Sequence, residues 1–360
     1  MRILHISDYG KSKLNGIYSA VSRLAEEQRK LGVIAKEGMV FPHTDIIDNS
    51  TKYEVRTLSQ FKQLVKDFCP DIIILNGLYP YQQIPFSWYA NKKSIPYIIV
   101  YHGGASEDNA KKGFLKKKIA NLLFWNRIIR NAEKVVYLNQ NEYNKSVFRH
   151  INDNYSIIPN GTDIPNALSY KRNSDILNIS FVSRMDYKGK GLDVLFDAIE
   201  ILRNDGWSDK IKFSFYGGRY DDTPDMIESF GDIAHYYGFV SGEEKNRAYR
   251  LSDLFILPSR SEGMPMCVLE ALAFGVPCIL TPQTNMSEEV VSGGCGWKTD
   301  LSADGIVHCI KKAYEDFLKS PQKYFDNCRK LAYNFCWEKI AYDSIEMYDE
   351  VIKKYKNDKR

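Results

Sequence analysis

Short, continuous apolar runs alternate along the chain with longer segments whose apolar residues recur every three or four positions. The runs predict strands that are buried on both faces, and the longer segments predict amphipathic helices that cover them. One such helix keeps its spacing from Ile17 to Leu31, and Gly32 is placed to end it as a left-handed cap. The predicted strands of the first half are residues 2–7, 71–76, 97–101, 134–138 and 156–161.

A second series of the same kind follows the polar stretch 162–178, which lacks periodicity and is the best candidate for a linker. Two such series predict an α/β fold with two Rossmann-like, doubly wound parallel sheets that face each other across a cleft. Ligands are expected at the carboxyl ends of the strands. The predicted strands of the second half are residues 178–183, 211–216, 234–240, 254–257 and 278–281.

Composition narrows the class of protein. A length of 360 residues favours two domains, which we place at 1–165 and 166–335. The net charge of +4 is too small to indicate a nucleic-acid partner. No apolar run reaches the ~20 residues that span a bilayer, and the N-terminus lacks a signal-peptide pattern, so we expect a cytoplasmic protein. Seven scattered cysteines without a Cys-x-x-Cys pair indicate reduced thiols and neither a disulfide framework nor a zinc site.

The segment after the predicted strand 254–257 combines two acidic residues with a helix start. Glu262 precedes the helix, Pro265 suits its first position, and Glu270 lies about two turns in. A helix N-terminus attracts phosphate, because its free N–H groups and its dipole both favour negative charge. Carboxylates at such a place are expected to face hydroxyl groups, which they accept well. The combination predicts a ligand with both phosphate and hydroxyl groups, as a sugar nucleotide has.

This constellation resembles the Glu-x7-Glu signature of the retaining glycosyltransferases of family four, the glycosyl transferases group 1, which have the GT-B fold. The flanking stretches 257–259 and 270–277 also agree with the family's usual sequence pattern. The resemblance covers nearly the whole chain and is strongest over 183–296. It implies a metal-independent enzyme that retains the anomeric configuration, needs no cofactor and takes a UDP- or GDP-sugar as donor substrate. It also implies that 336–360 form a helix returning to the first domain.

The same resemblance implies roles for the residues of this segment. Glu270 would bind the ribose hydroxyls of the donor. Glu262 would hold the transferred sugar at the reaction centre, together with the backbone amides around Gly263, Met264 and Met266. Each glutamate alone would more often be a helix cap or a solvated helix residue, but the pair in this setting favours a function.

A basic loop follows the first strand of the second half. Arg184 and Lys190 resemble the family's Arg and Lys-Gly positions, whose cations hold the donor diphosphate. Preorganised cations stabilise the negative charge that a leaving nucleoside diphosphate gains as the glycosidic bond breaks. Lys190 fits best because Gly191 follows it in the family manner, but Lys188 also precedes a glycine and stays a rival.

Two first-domain residues are further candidates. Gly16 lies in the loop after the first strand, where it would let the donor or acceptor approach the backbone closely. The loop has no Gly-x-Gly-x-x-Gly, which argues against a nicotinamide dehydrogenase. His102 stands at a strand end before two glycines and resembles a histidine that faces the donor sugar in many relatives. With Glu262, Arg184 and Lys190 it completes the set of candidate catalytic residues.

Two second-domain positions resemble the family's nucleotide contacts. Gly217 lies in a glycine-rich turn near the nucleotide, and Val240 lies where relatives contact the base through the backbone. Backbone contacts do not need particular side chains, so the identity of the base cannot be read from these positions.

A separate basic segment, 111–130, bears on the identity of the acceptor. Segment 111–130 interleaves Lys116, Lys117 and Lys118 with apolar residues, which suits either a helix on an anionic membrane or an ordinary solvated helix face. Relatives that have this form of the Glu-x7-Glu segment often build bacterial surface polysaccharides. We therefore expect a glycan acceptor, lipid-linked, and peripheral contact with the inner face of the cell membrane.

Two alternatives share the fold and stay open. A GT-B nucleotide-sugar epimerase would release nucleotide and a sugar derivative without an acceptor. A non-catalytic partner subunit of a glycosyltransferase would be expected to lose the Arg/Lys or the Glu pair, whereas this chain keeps candidates for all four positions.

Overall fold

The computed structural model describes the chain except for residues 8–15, 42–46, 49, 106–113, 167, 171–173, 220 and 360, and it describes only the backbone at 114 and 115. The chain divides into two compact units. The first contains Met1–Gly161 and Trp337–Arg360, and the second contains Thr162–Cys336.

Within its described residues, the first unit contains a seven-stranded parallel sheet. The strands are β1 Arg2–Ser7, β2 Ile34–Met39, β3 Lys52–Glu54, β4 Ile72–Asn76, β5 Tyr97–Val100, β6 Lys134–Tyr137 and β7 Tyr155–Ile157. Their order is β3-β2-β1-β4-β5-β6-β7. β4 and β5 are buried along their whole length, as expected for a parallel sheet covered on both faces.

The described helices that follow these strands are α1 Gly16–Lys30, α2 Leu58–Phe68, α3 Gln83–Lys92, α4 Phe114–Ala120, α5 Asn126–Arg130 and α6 Gln140–Asn144. A π-helical stretch, Asn121–Trp125, joins α4 to α5. α2 begins with a capping box, because Thr57 accepts from the Gln60 amide and the Gln60 side chain accepts from the Thr57 amide.

The part of the second unit that the structure describes contains a six-stranded parallel sheet. Its strands are β8 Leu177–Val182, β9 Ile211–Tyr216, β10 Ala234–Tyr236, β11 Leu254–Leu257, β12 Cys278–Leu280 and β13 Gly296–Lys298, in the order β10-β9-β8-β11-β12-β13. Its α-helices are α7 Leu192–Asn204, α8 Thr223–Glu228, α9 Gly242–Arg250, α10 Met266–Ala273, α11 Ser287–Ser292, α12 Ala303–Lys319 and α13 Pro321–Tyr333. Short 3₁₀ turns cover Trp207–Asp209, Gly231–Ile233 and Pro282–Thr284.

The last helix, α14 Trp337–Asp358, groups with the first unit. It packs against α1, and Gln28 Nε2 donates to Ser344 Oγ at 2.9 Å. A Cβ at Gly161 would lie 2.3 Å from the Trp337 ring, so only glycine fits where this helix begins.

The predicted α/β class with two Rossmann-like parallel sheets is confirmed. Strands β1, β9 and β11 have the predicted bounds. The strand predicted over 234–240 ends at Tyr236, since Gly238 takes a φ of +80° soon after it. The strand predicted over 156–161 lies at 155–157.

Candidate functional site

Lys190 and Glu262 form a close ion pair at the carboxyl ends of β8 and β11. Lys190 Nζ lies 2.5 Å from Glu262 Oε1, and each side chain is only 13% exposed. Ser259 Oγ donates to the same carboxylate oxygen at 2.6 Å. A lysine and a glutamate that are 72 residues apart in sequence are therefore held together where ligands bind in open α/β sheets.

The loop between β8 and α7 is shaped to place Lys190 there. Asp186 Oδ1 accepts from the Gly189 amide at 2.8 Å, and the Lys190 amide donates to the Asp186 carbonyl at 3.0 Å. Gly191 has a φ of +71°, and a Cβ at this position would lie 2.0 Å from the Pro258 carbonyl oxygen. Only glycine permits this approach of the loop to the end of β11.

Lys188 lies apart from Glu262. Its Nζ is 2.8 Å from Asp193 Oδ2, and its side chain is 74% exposed. Both terminal nitrogens of Arg260 also donate to the Asp193 carboxylate, at 2.7 and 2.8 Å. Burial raises the pKa of Asp193, but the hydrogen bonds from Arg260 and Lys188 outweigh it and bring that pKa below its usual value. Of the two rival lysines, the structure brings Lys190 to Glu262.

Glu270 lies on α10 and has a partner on each oxygen. Lys245 Nζ is 2.6 Å from Oε1, and Tyr249 Oη donates to Oε2 at 2.8 Å. Burial raises the pKa of Tyr249 well above its usual value, so the phenol stays a neutral donor. Since a carboxylate has about four lone-pair positions, Glu270 can accept further hydrogen bonds from ligand hydroxyls.

The start of α10 differs by one position from the prediction. Pro265 has a ψ of 121° and caps the helix, which begins at Met266. Asn285 Nδ2 donates to the Glu262 carbonyl at 2.7 Å, and the Glu262 amide donates to the Gln283 carbonyl at 3.0 Å. These bonds fix the backbone beside Gly263, next to Met264, which is buried.

The remaining second-unit candidates lie on the loops after neighbouring strands. Arg184 follows β8 and is exposed. Gly217 follows β9, and a Cβ there would lie 1.6 Å from the Ser183 carbonyl oxygen. Val240 follows β10 and is half-buried. All three are on the same edge of the sheet as Lys190 and Glu262.

His102 and Gly16 belong to the first unit. Gly16 is the exposed first residue of α1, and the loop before it, 8–15, lies outside the described residues. His102 follows β5 with a φ of +49°, and its Nε2 is 3.1 Å from Asn76 Oδ1. Burial, with a smaller contribution from His5, lowers the pKa of His102 to about 4, so the ring is neutral at neutral pH.

Several residues at these sites were not predicted as site residues. Lys245, Tyr249, Arg260 and Asp193 hold the acidic and basic groups in place. The one available signal was the spacing of Lys245 and Tyr249, which puts both on one face of a helix.

The described residues contain no group of three or more His, Cys, Asp or Glu side chains that could hold a metal ion. None of the helices in this part of the chain is both long and apolar enough to cross a membrane.

Two Rossmann-like parallel sheets, the second with Lys190 and Glu262 at its carboxyl edge, define a GT-B glycosyltransferase fold. A crystal structure of HepE from Anabaena in complex with UDP-glucose superposes with a TM-score of 0.74 over 97% of this chain and 100% of that one, at 16% sequence identity. A likeness at this identity shows the fold.

Sequence similarity links part of the chain to one family. The model of the glycosyl transferases group 1 matches residues 177–316. The chain is 27% identical over 179 residues to an uncharacterized 41.2 kDa protein in the cps region of Klebsiella pneumoniae, covering 50% of this chain and 47% of that protein. It is 30% identical over 142 residues to the amylovoran biosynthesis glycosyltransferase AmsK of Erwinia amylovora, covering 37% and 34%. The matches thus span half or less of these relatives. Over residues 177–316 the second unit is therefore similar to the group 1 glycosyltransferases.

Proposed function

We propose that this chain is a retaining, metal-independent glycosyltransferase that moves a sugar from a UDP- or GDP-sugar to a glycan acceptor. The observation that carries the proposal is the Lys190–Glu262 pair at the carboxyl edge of the second sheet, with Glu270 on the helix that begins beside it. This arrangement offers a cation for a diphosphate and carboxylates for hydroxyl groups within one unit.

Lys190 and Arg184 are the two cations that stabilise the leaving diphosphate. As the bond between sugar and diphosphate breaks, negative charge grows on the phosphate oxygens. Lys190 is already oriented by Glu262 and Ser259, so little reorganisation is needed when charge develops. Arg184 supplies a second cation on the same loop. These groups fill the role that a divalent ion has in other transferases, which is the basis of metal independence.

The anomeric configuration is retained because the acceptor hydroxyl attacks the sugar from the same face from which the diphosphate leaves. The acceptor hydroxyl bonds to the anomeric carbon as the carbon–phosphate oxygen bond breaks, and the leaving phosphate takes the hydroxyl proton. No protein nucleophile is needed. Glu262 holds the sugar, and the backbone amides near Gly263, Met264 and Met266 contribute hydrogen bonds.

The relatives support the donor and acceptor classes. HepE was crystallised with UDP-glucose, which supports a uridine sugar nucleotide. AmsK is named for amylovoran biosynthesis, and the Klebsiella protein for its cps region. These names support an acceptor in bacterial surface polysaccharide synthesis, which we take to be lipid-linked.

Glu270 gives the most direct test of the nucleotide site. Glu270→Ala removes a charged acceptor for the ribose hydroxyls, a hydrogen bond worth roughly 1.5–3 kcal/mol. Calorimetry with UDP and GDP should show weaker binding of the preferred nucleotide, by about ten- to a hundredfold. Glu288→Gln, an exposed carboxylate on α11, serves as control. Unchanged affinity in the Glu270 variant would contradict the assignment.

The epimerase alternative predicts a different outcome. An epimerase would consume the sugar nucleotide and release free nucleotide and sugar derivative at the same rate with or without acceptor. The transferase predicts that nucleotide release depends on acceptor. Following nucleotide release with and without extracted lipid-linked glycans separates the two functions.

A further inference from the structure

Glu142 is a buried carboxylate that the proposed function does not use. It lies on α6 in the first unit, 1% exposed, and Asn139 Oδ1 caps this helix by accepting from the Glu142 amide at 2.8 Å. Its Oε1 accepts from the Gly103 amide at 2.5 Å, and its Oε2 accepts from the Leu138 amide at 2.6 Å. One carboxylate therefore ties the turn after β5 to the end of β6.

The turn that Glu142 holds carries His102. His102 and Gly103 have φ values of +49° and +79°, and the Gly104 amide closes the turn on the Tyr101 carbonyl at 2.9 Å. A left-handed conformation at a residue with a Cβ costs roughly 1–2 kcal/mol, so the surroundings must impose it. The Glu142 bond to the adjacent Gly103 amide is one such constraint.

Asn76 constrains the imidazole from the other side. Its Nδ2 donates to the carbonyls of Ile6 and Ile74, both at 3.3 Å, which fixes the orientation of the amide. Asn76 Oδ1 can then only accept, so His102 Nε2, 3.1 Å away, carries the proton. His102 Nδ1 is left with the lone pair.

We propose that Glu142 and Asn76 are positioning residues, which together present His102 as a neutral Nε2–H imidazole whose Nδ1 accepts a hydrogen bond from a sugar hydroxyl. Glu142 acts through the Gly103 backbone, and Asn76 acts through the ring. The assignment rests on the proposed function, because the hydroxyl that His102 accepts from belongs to a sugar substrate of the glycosyltransferase.

The charge of Glu142 gives this arrangement a pH dependence. Burial raises the pKa of Glu142 to about 7, although the two backbone N–H groups act in the opposite direction. The described titratable groups that face it are the phenols of Tyr101 and Tyr137, and burial raises the pKa of each, so both are neutral. When Glu142 gains a proton, one oxygen becomes a donor and no longer accepts well from its N–H.

Activity and stability should therefore change in opposite directions near pH 7. The hold on Gly103 strengthens as pH rises through about 7, so turnover should rise. The pKa of Glu142 is higher in the folded chain than its ordinary value near 4.3. The folded state thus binds the proton more tightly, and the stability from this group is greatest below about pH 4.3 and declines as pH rises through about 7.

The first measurement needs no variant and no activity. In protein labelled at glycine and histidine, the Gly103 amide resonance should titrate with a midpoint near pH 7, and the ¹⁵N shifts of His102 should report the Nε2–H tautomer. A Gly103 resonance that does not titrate between pH 5.5 and 9, or an Nδ1–H tautomer, would overturn the proposal. This outcome is independent of whether the chain transfers sugar.

The second measurement uses Glu142→Gln with Glu133→Gln as its control, because Glu133 is a half-buried carboxylate of the same unit at the amino end of β6. Wild-type kcat should rise through pH 7. In Glu142→Gln, kcat should no longer rise through pH 7. At pH 8 it should be lower than in the wild type on the order of tenfold to a hundredfold, because a small misplacement of the His102 ring has a cost of this size. Glu133→Gln should keep the wild-type profile. Unchanged kcat and pH dependence in Glu142→Gln would refute the positioning role, whereas an inactive wild type would refute the proposed function alone.

Discussion

At the scale of single residues, the Lys190–Glu262 pair distinguishes two lysines that the sequence left as rivals. Both precede a glycine, so local spacing could not separate them. The distinction depends on the contact with Glu262, 72 residues away in sequence, whereas Lys188 lies beside Asp193 on the exposed side of the loop. A contact of this range depends on the packing of β8 against β11, which a local motif does not encode.

Turnover of the two lysine variants should differ. Lys190→Ala removes a cation from the leaving group, and loss of one preorganised charge-stabilising group costs about 10²–10³ in kcat. Lys188→Ala leaves Asp193 paired with Arg260 and should keep kcat within about twofold. Steady-state kinetics on both variants, with melting temperatures to confirm folding, make the comparison. A larger loss in Lys188→Ala would mean that the loop assignment is wrong.

The partners of Glu270 belong to the part of the site that could not be predicted from the sequence. The glutamate itself is visible in the Glu-x7-Glu spacing. Its partners Lys245 and Tyr249 come from α9, an earlier helix that has no recognisable motif. Motifs identify groups that contact the ligand, whereas the groups that orient them are fixed by tertiary packing.

At the scale of elements, the strands were predictable where they are continuously apolar. β1, β9 and β11 are such runs, and their bounds agree. β2 and β3 were not predicted, because they contain Lys36, Glu37, Lys52 and Glu54. β13 was also missed, since it is only three residues long and begins with glycine. These short or mixed strands depend on pairing with a neighbour more than on their own pattern.

The loop that carries Lys190 should be intolerant of a side chain at Gly191. Gly191→Ala combines a left-handed φ of +71° with a Cβ 2.0 Å from a carbonyl oxygen. Gly206→Ala is a matched control, because Gly206 has a φ of +75° and no atom near its Cβ position. Urea unfolding should show a loss of about 1–2 kcal/mol for Gly206→Ala and a larger loss for Gly191→Ala. Equal losses would mean that the close approach to Pro258 is unimportant.

The α4–α5 segment presents apolar side chains to solvent. Ile119, Leu122 and Leu123 are 51%, 77% and 59% exposed. Lys116, Lys118, Arg127 and Arg130 are exposed along the same segment, whereas Lys117 lies over the Tyr79 ring at 4.9 Å. Residues 111 and 112 lie outside the described part of the chain. Exposed leucines beside cations favour the membrane interpretation of this segment, which stays a proposal.

Vesicle binding tests that proposal. Each basic residue near an anionic surface adds about 1 kcal/mol, so Lys116→Gln with Lys118→Gln should weaken sedimentation with anionic vesicles. Leu122→Ser with Leu123→Ser should weaken it further. High salt should release the wild type, and neutral vesicles should not bind it. Lys319→Gln with Lys353→Gln, exposed lysines elsewhere, should change nothing. Equal pelleting of all variants, or none, would indicate an ordinary solvated helix face.

At the scale of the whole molecule, the candidate site residues are distributed over both units, each of which contains one parallel sheet. Arg184, Lys190, Glu262 and Glu270 lie in the second unit, and His102 lies in the first. The alternation of apolar and amphipathic segments was enough to predict both sheets. It did not reveal the buried Glu142, because a single carboxylate on a short helix has no distinguishing pattern in the sequence.

The most direct test of the central claim is to follow the reaction by NMR in the presence of EDTA, with α-linked UDP- and GDP-sugars and extracted lipid-linked glycans as acceptors. We predict that one donor disappears only when acceptor is present, that nucleoside diphosphate is released in equal amount, and that the new linkage has the α configuration. A β-linked product, acceptor-independent release of a sugar derivative, or activity that returns only with Mg²⁺ or Mn²⁺ would contradict a retaining, metal-independent transferase.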